Sequence, residues 1–158
     1  MKRLFLLSTL ISLGYWAYQY FMPAVELTNP VFAEVRVKIR EGNREIEAVL
    51  FAKAADDADC RMRAERTRQH LLDNCPKCLS RSFECKAELA PRYLKFFDDR
   101  PSNITYLSYR PASRGERDVR MIFWGLSIDE ANSLCEQMRG ILSPLYRGPT
   151  SCIRPTAS

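Results

Sequence analysis

Six cysteines are the residues of this chain best suited to chemistry: Cys60, Cys75, Cys78, Cys85, Cys135 and Cys152. Their number is even and all follow an apolar N-terminal segment, so outside the cytoplasm disulfide bonds are the default expectation. Cys60 and Cys75 would stand about 22 Å apart along one helix, whereas a bridge needs Cα atoms within about 7 Å. Cys135 is expected on the core face of a helix, and Cys152 on a tail able to fold back along it. A bridge between these two closes a loop of about 17 residues and stabilises by roughly 3 kcal/mol in the chain-entropy account. Cys60 must then reach Cys78 or Cys85, and Cys75 takes the remaining partner.

Two sharper chemistries compete with structural bridges. Cys75-Pro76-Lys77-Cys78 is a C-x-x-C of the kind used by thiol oxidoreductases. A redox pair sits at a helix N-terminus, where the dipole stabilises a thiolate; this one follows a helix and no βαβ unit precedes it. Zinc could draw on Cys60, Cys75, Cys78 and Cys85 with His70, but a strong zinc signal has two closely spaced pairs and only one exists here. No metal or cofactor is therefore expected. His70 is the single histidine, which excludes a histidine cluster. A Ser-His-Asp triad would have to use it, and no serine is marked as its partner. There is no glycine-rich phosphate loop, G-x-S-x-G, H-E-x-x-H or EF-hand loop. An enzyme is thus disfavoured, with a thiol oxidoreductase as the alternative.

Arg61, Arg63, Arg66 and Arg68 form a candidate anion-binding face, since the planar guanidinium fork suits phosphate and carboxylate. Interspersed Asp56, Asp57, Asp59, Glu65 and Asp73 favour the plainer reading of a solvated, mixed-charge helix. With a net charge of +5 from 24 basic and 19 acidic residues, the chain lacks the basic excess of a nucleic-acid binder, and no nucleic-acid partner is expected. Tyr106, Tyr109, Phe123 and Trp124 could line a binding surface, but on neighbouring strands such residues more often form core.

The elements that must position these groups begin after residue 22. Leu4 to Met22 carries no charge and follows Lys2-Arg3. As a helix it would span about 28 Å, close to the hydrocarbon thickness of a bilayer. Tyr15, Trp16, Tyr18 and Tyr20 suit a membrane interface, and the basic start favours a cytoplasmic N-terminus. The segment reads as a signal-anchor, with a cleaved signal peptide as the competing reading. Pro23 to Ala33 reads as an extended stalk, and 34–158 as the domain. Val35, Val37 and Ile39 alternate with charged residues, Gly42-Asn43 supply a turn, and Ile46 to Ala52 alternate again, which predicts an antiparallel hairpin. A helix is expected over 56–74, a short strand around Phe83 to Leu89, and a helical turn or two entered at Pro91. Two further β runs cover Ile104 to Arg110 and Asp118 to Trp124. Ser127-Ile128-Asp129-Glu130 is a capping box opening a helix with an apolar face through Cys135. The tail from Ser143 reads as irregular.

The expected fold is α+β: an N-terminal transmembrane helix, then one small domain with an antiparallel sheet of about four or five strands and two main helices on one face. The expected protein is a single-pass inner (plasma) membrane protein with its disulfide-containing domain periplasmic or extracellular. It would serve as a non-enzymatic interaction or assembly module with a protein partner in the cell envelope. A secreted binding protein, released by signal cleavage, is the further alternative.

Overall fold

The computed structural model describes residues 2–75 and 77–155, and for 2–7 and 70–74 the backbone alone. The chain order is α1 (Lys2–Phe21), β1 (Val31–Glu41), β2 (Arg44–Ala54), α2 (Asp57–Asn74), β3 (Cys78–Lys86), α3 (Pro91–Leu94) running into a 3-10 turn (Lys95–Asp98), β4 (Tyr106–Tyr109), β5 (Val119–Trp124), α4 (Ile128–Leu142) and β6 (Thr150–Ile153). The six strands form one antiparallel sheet in the order β3-β1-β2-β5-β4-β6. The β1–β2 hairpin has the expected phase but is longer, pairing Val31 with Ala54 at one end and Glu41 with Arg44 at the other. Of the two turn residues only Gly42 uses a positive φ, at 61°.

Three expectations are corrected. The tail contains β6, so the sheet has six strands; Thr150–Ile153 is too short to stand out by alternation, but it pairs with β4 along its whole length. The stalk ends early, because Val31, Phe32 and Ala33 already belong to β1. The third concerns the membrane. No helix among the described residues is long and apolar enough to cross one, so the transmembrane helix and single-pass localisation are not supported. Absence of charge misled: Ser8, Thr9, Ser12 and Gln19 interrupt the apolar run, and the hydroxyls of Tyr15, Tyr18 and Tyr20 add further polarity.

Side-chain alternation divides the sheet into two faces. On one face Phe32, Val49, Phe51, Tyr106 and Ile122 pack against Leu89, Tyr93, Phe96 and Phe97 from the 87–105 segment. On the other face α2 lies over Ala33 and Ala52 through Cys60, while α4 covers Leu107, Tyr109 and Phe123 through Cys135. Two bridges fasten these helices: Cys60–Cys85 joins α2 to β3, and Cys135–Cys152 joins α4 to β6. The capping box at α4 forms as expected, with the Glu130 carboxylate accepting from Ser127 N at 2.8 Å.

Two buried charged side chains, Glu34 and Arg120, lie on the aromatic face, and Arg120 is the more deeply buried. Arg120 on β5 is 0% exposed. Its Nε donates to the Phe96 carbonyl at 2.7 Å, and its Nη atoms donate to the Phe97 and Tyr109 carbonyls. It pairs with Asp99 at 2.9 Å and with Asp118, and its guanidinium stacks over Phe97 at 4.9 Å. Asp99 takes a left-handed φ of 54° at the end of the 3-10 turn. There its carboxylate also accepts from Ser108 Oγ and Arg110 Nε, each at 2.6 Å.

Arg120→Met takes the buried cation from Asp99 and Asp118 and its N–H groups from the Phe96, Phe97, Tyr109 and Val119 carbonyls, and should cost about 3–5 kcal/mol by denaturant unfolding. Arg120→Lys should recover little of that loss, because an ammonium cannot reproduce the fork. The Cys135→Ser/Cys152→Ser double variant should lose about 3 kcal/mol, with hydrogen exchange at the β6 amides rising before exchange elsewhere in the sheet.

Candidate functional site

Six strands spaced about 4.8 Å apart are some 24 Å wide between outer strands, while two helices about 10 Å across cover about 20 Å. The bridges hold α2 towards β3 and β1, and α4 towards β6 and β4. The middle strands are left under-covered, and a slot of about 300 Å³ opens there. Leu50 and Ala52 from β2, Val119 and Met121 from β5, and Leu107 from β4 form its floor. Arg63, Arg66 and Thr67 of α2 form one wall, and Leu142 and Tyr146 at the end of α4 the other. Gly115, Glu116 and Arg117 close one end.

The charges around this slot are largely committed. Asp59 binds Arg63 at 2.7 Å and Arg117 at 2.8 Å, and accepts the Ala55 N–H at 3.0 Å. Arg63 also donates to the Gly115 carbonyl at 3.1 Å. Burial acts to raise the Asp59 pKa, but the Ala55 N–H and both guanidiniums outweigh it and hold the carboxyl below its ordinary value. Glu116 accepts three backbone N–H groups, from Ala112 and Arg147 at 2.8 Å and from Ser113 at 3.0 Å. Burial again pulls upward, but these donors together lower the Glu116 pKa. Tyr109, 5% exposed, lines the slot, and its buried hydroxyl lies beside Glu116. Burial first, and the neighbouring Glu116 second, push that hydroxyl far above its ordinary pKa, so it stays protonated.

The four arginines of the candidate anion-binding face are not brought together. Arg61 pairs with Asp57 at 2.7 Å and Arg68 with Glu65 at 2.5 Å, beside an open depression on the outer side of α2. Arg63 and Arg66 lie on the slot side instead, and Arg66 has no ion-pair partner among the described residues. The sequence marked these arginines but gave no sign of the floor beneath them, whose residues come from three strands. Tyr106, Tyr109 and Phe123 are core, and Trp124 is 37% exposed at the sheet surface.

All six cysteines are bridged: the third pair is Cys75–Cys78, with Cα atoms 5.5 Å apart. Cys60 thus takes Cys85, one of its two expected partners. The C-x-x-C bridge follows the C-terminal end of α2, where the helix dipole opposes a thiolate. With these cysteines in bridges, none offers a thiolate to zinc. The His70 side chain lies outside the described residues.

The aromatic residues expected at a membrane interface have other neighbours. Trp16 stacks on Tyr20 at 5.3 Å, and Tyr15 accepts from Gln19 at 3.0 Å. The Arg114 guanidinium covers the Tyr18 ring and that of Arg147 the Tyr20 ring, at 5.3 and 4.8 Å. Arg114 N donates to the Met22 carbonyl and Gly115 N to that of Gln19, so the end of α1 is docked on the 112–117 loop. No family model, curated protein or solved structure matches the chain.

Glu116 has a lowered pKa in the folded chain. Its contribution to stability is therefore complete above the ordinary carboxylate value of about 4.3 and is lost as pH falls through the folded value. Amide shifts of Ala112, Ser113 and Arg147 should titrate together below about pH 4.3. In Glu116→Gln this shared titration should vanish.

Proposed function

We propose that this chain is a non-enzymatic interaction module that takes an apolar part of its partner into the slot between α2 and α4. The observation that carries the reading is the slot itself: a concave apolar floor with a few polar groups at its edge, the usual composition of a recognition site. The charged groups around it also favour binding over catalysis. Asp59 and Glu116 are saturated by guanidinium and backbone donors, which leaves neither placed to exchange a proton. Two of the three bridges support a rigid receptor, because they tie each wall of the slot to an outer strand.

Nile red, a neutral dye that brightens in apolar surroundings, should bind the intact chain with saturable emission. Ala52→Phe, filling the floor from β2, and Met121→Trp, filling it from β5, should each weaken that binding by about tenfold or more, with the thermal midpoint tracked in parallel. Unsaturable emission, or binding indifferent to both fillings, would remove the slot as the recognition site.

A further inference from the structure

The slot is apolar below and electrically one-sided above. Both carboxylates at its edge are consumed: Asp59 by Arg63 and Arg117, Glu116 by three backbone N–H groups. Arg66, on the same wall, is left with no carboxylate partner among the described residues. This exposed guanidinium at the rim of an apolar cleft is available to pair with an anion on the occupant.

The occupant's width follows from the floor. One turn of a helix about 10 Å across fills roughly 400 Å³, more than the slot of about 300 Å³ that stands over the floor. A helix about 10 Å across would rest on the rims of α2 and α4 without reaching it. A single methylene chain would reach it and exchange water contact for that of the partly exposed Leu50, Val119 and Met121.

We propose that the slot binds an elongated, unbranched acyl carboxylate, its chain along the β2–β5–β4 floor and its carboxylate at Arg66. This rests on the reading of the slot as the recognition site, and adds the chemistry of the ligand.

The test is a methyl-resolved NMR titration of the full, disulfide-intact chain with decanoate, decanol and acetate, below micelle-forming concentrations. Decanoate should shift the Leu50, Val119 and Met121 methyls and saturate. Decanol should shift the same methyls about tenfold more weakly, and acetate should not shift them. Arg66→Gln, an exposed helix substitution, should bring decanoate down to the level of decanol and leave decanol unchanged; Arg66→Lys should recover part of the difference. Equal binding of decanoate and decanol, or indifference to Arg66→Gln, would overturn the carboxylate while the Nile red result still upheld the slot. Decanoate shifts confined to the exposed Leu10 and Leu13 of α1, or undiminished in Ala52→Phe, would overturn the assignment of the ligand to this slot.

Discussion

A guanidinium with no solvent contact must find protein acceptors for its N–H groups, and Arg120 makes the aromatic half of the structure answer to that demand. Its acceptors come from separate stretches of chain: the Phe96 and Phe97 carbonyls in the 3-10 turn, the Tyr109 carbonyl in β4, and the carboxylates of Asp99 and Asp118. The 87–105 segment has little regular structure of its own to order it. It is held by its aromatic side chains and by cations of the sheet: Arg120 above all, with Arg36 on the Tyr93 hydroxyl and Lys53 over the Phe97 ring. Asp99 adopts its unfavourable left-handed backbone because the carboxylate is then shared among Arg120, Ser108 and Arg110. Asp118 passes the constraint to β2, since Lys53 N donates to its carbonyl and Lys53 Nζ pairs with its carboxylate.

The opposite face meets a different constraint. A helix laid on a sheet slides towards the position that buries most apolar surface, and two helices free to slide would close over the central strands. Here each is fixed laterally by a covalent bond to an outer strand: α2 to β3 through Cys60–Cys85, and α4 to β6 through Cys135–Cys152. The slot is thus a consequence of where the bridges are, and Leu50 and Met121 keep an accessible floor because the walls cannot meet above them. The Cys75–Cys78 bridge, four residues from end to end, fastens no wall.

The sequence disclosed what is local. Alternation through Val35, Val37 and Ile39 marked the hairpin, Ser127 with Glu130 marked the start of α4, and the spacing of Cys135 and Cys152 allowed their bridge. It hid what depends on distant chain. Arg120 alternates with Val119 and Met121, and a charged residue in that pattern ordinarily faces water; only the arrival of Phe96, Phe97 and Asp99 turns its face into core. The strand β6 owes its pairing to β4, more than forty residues earlier, and could not be recognised from Thr150-Ser151-Cys152-Ile153 alone. The slot was half visible: Arg63 and Arg66 stood out as cations, but its floor is assembled from β2, β4 and β5, whose order no local pattern encodes.

The end of α1 follows the same logic of shared groups. The last turn of a helix leaves carbonyls without intrahelical donors, and cations near it are favoured by the dipole. The 112–117 loop and Arg147 meet both needs: Gly115 N reaches the Gln19 carbonyl, Arg114 N that of Met22, and the Arg147 guanidinium that of Tyr20. They form a cap supplied from the domain. Glu116 holds the cap in shape, since its carboxylate binds the amides of Ala112, Ser113 and Arg147 together. The same residue closes one end of the slot. One carboxylate therefore serves the attachment of α1 and the boundary of the slot, and a displacement of Glu116 by an occupant would loosen the donors on which the end of α1 rests.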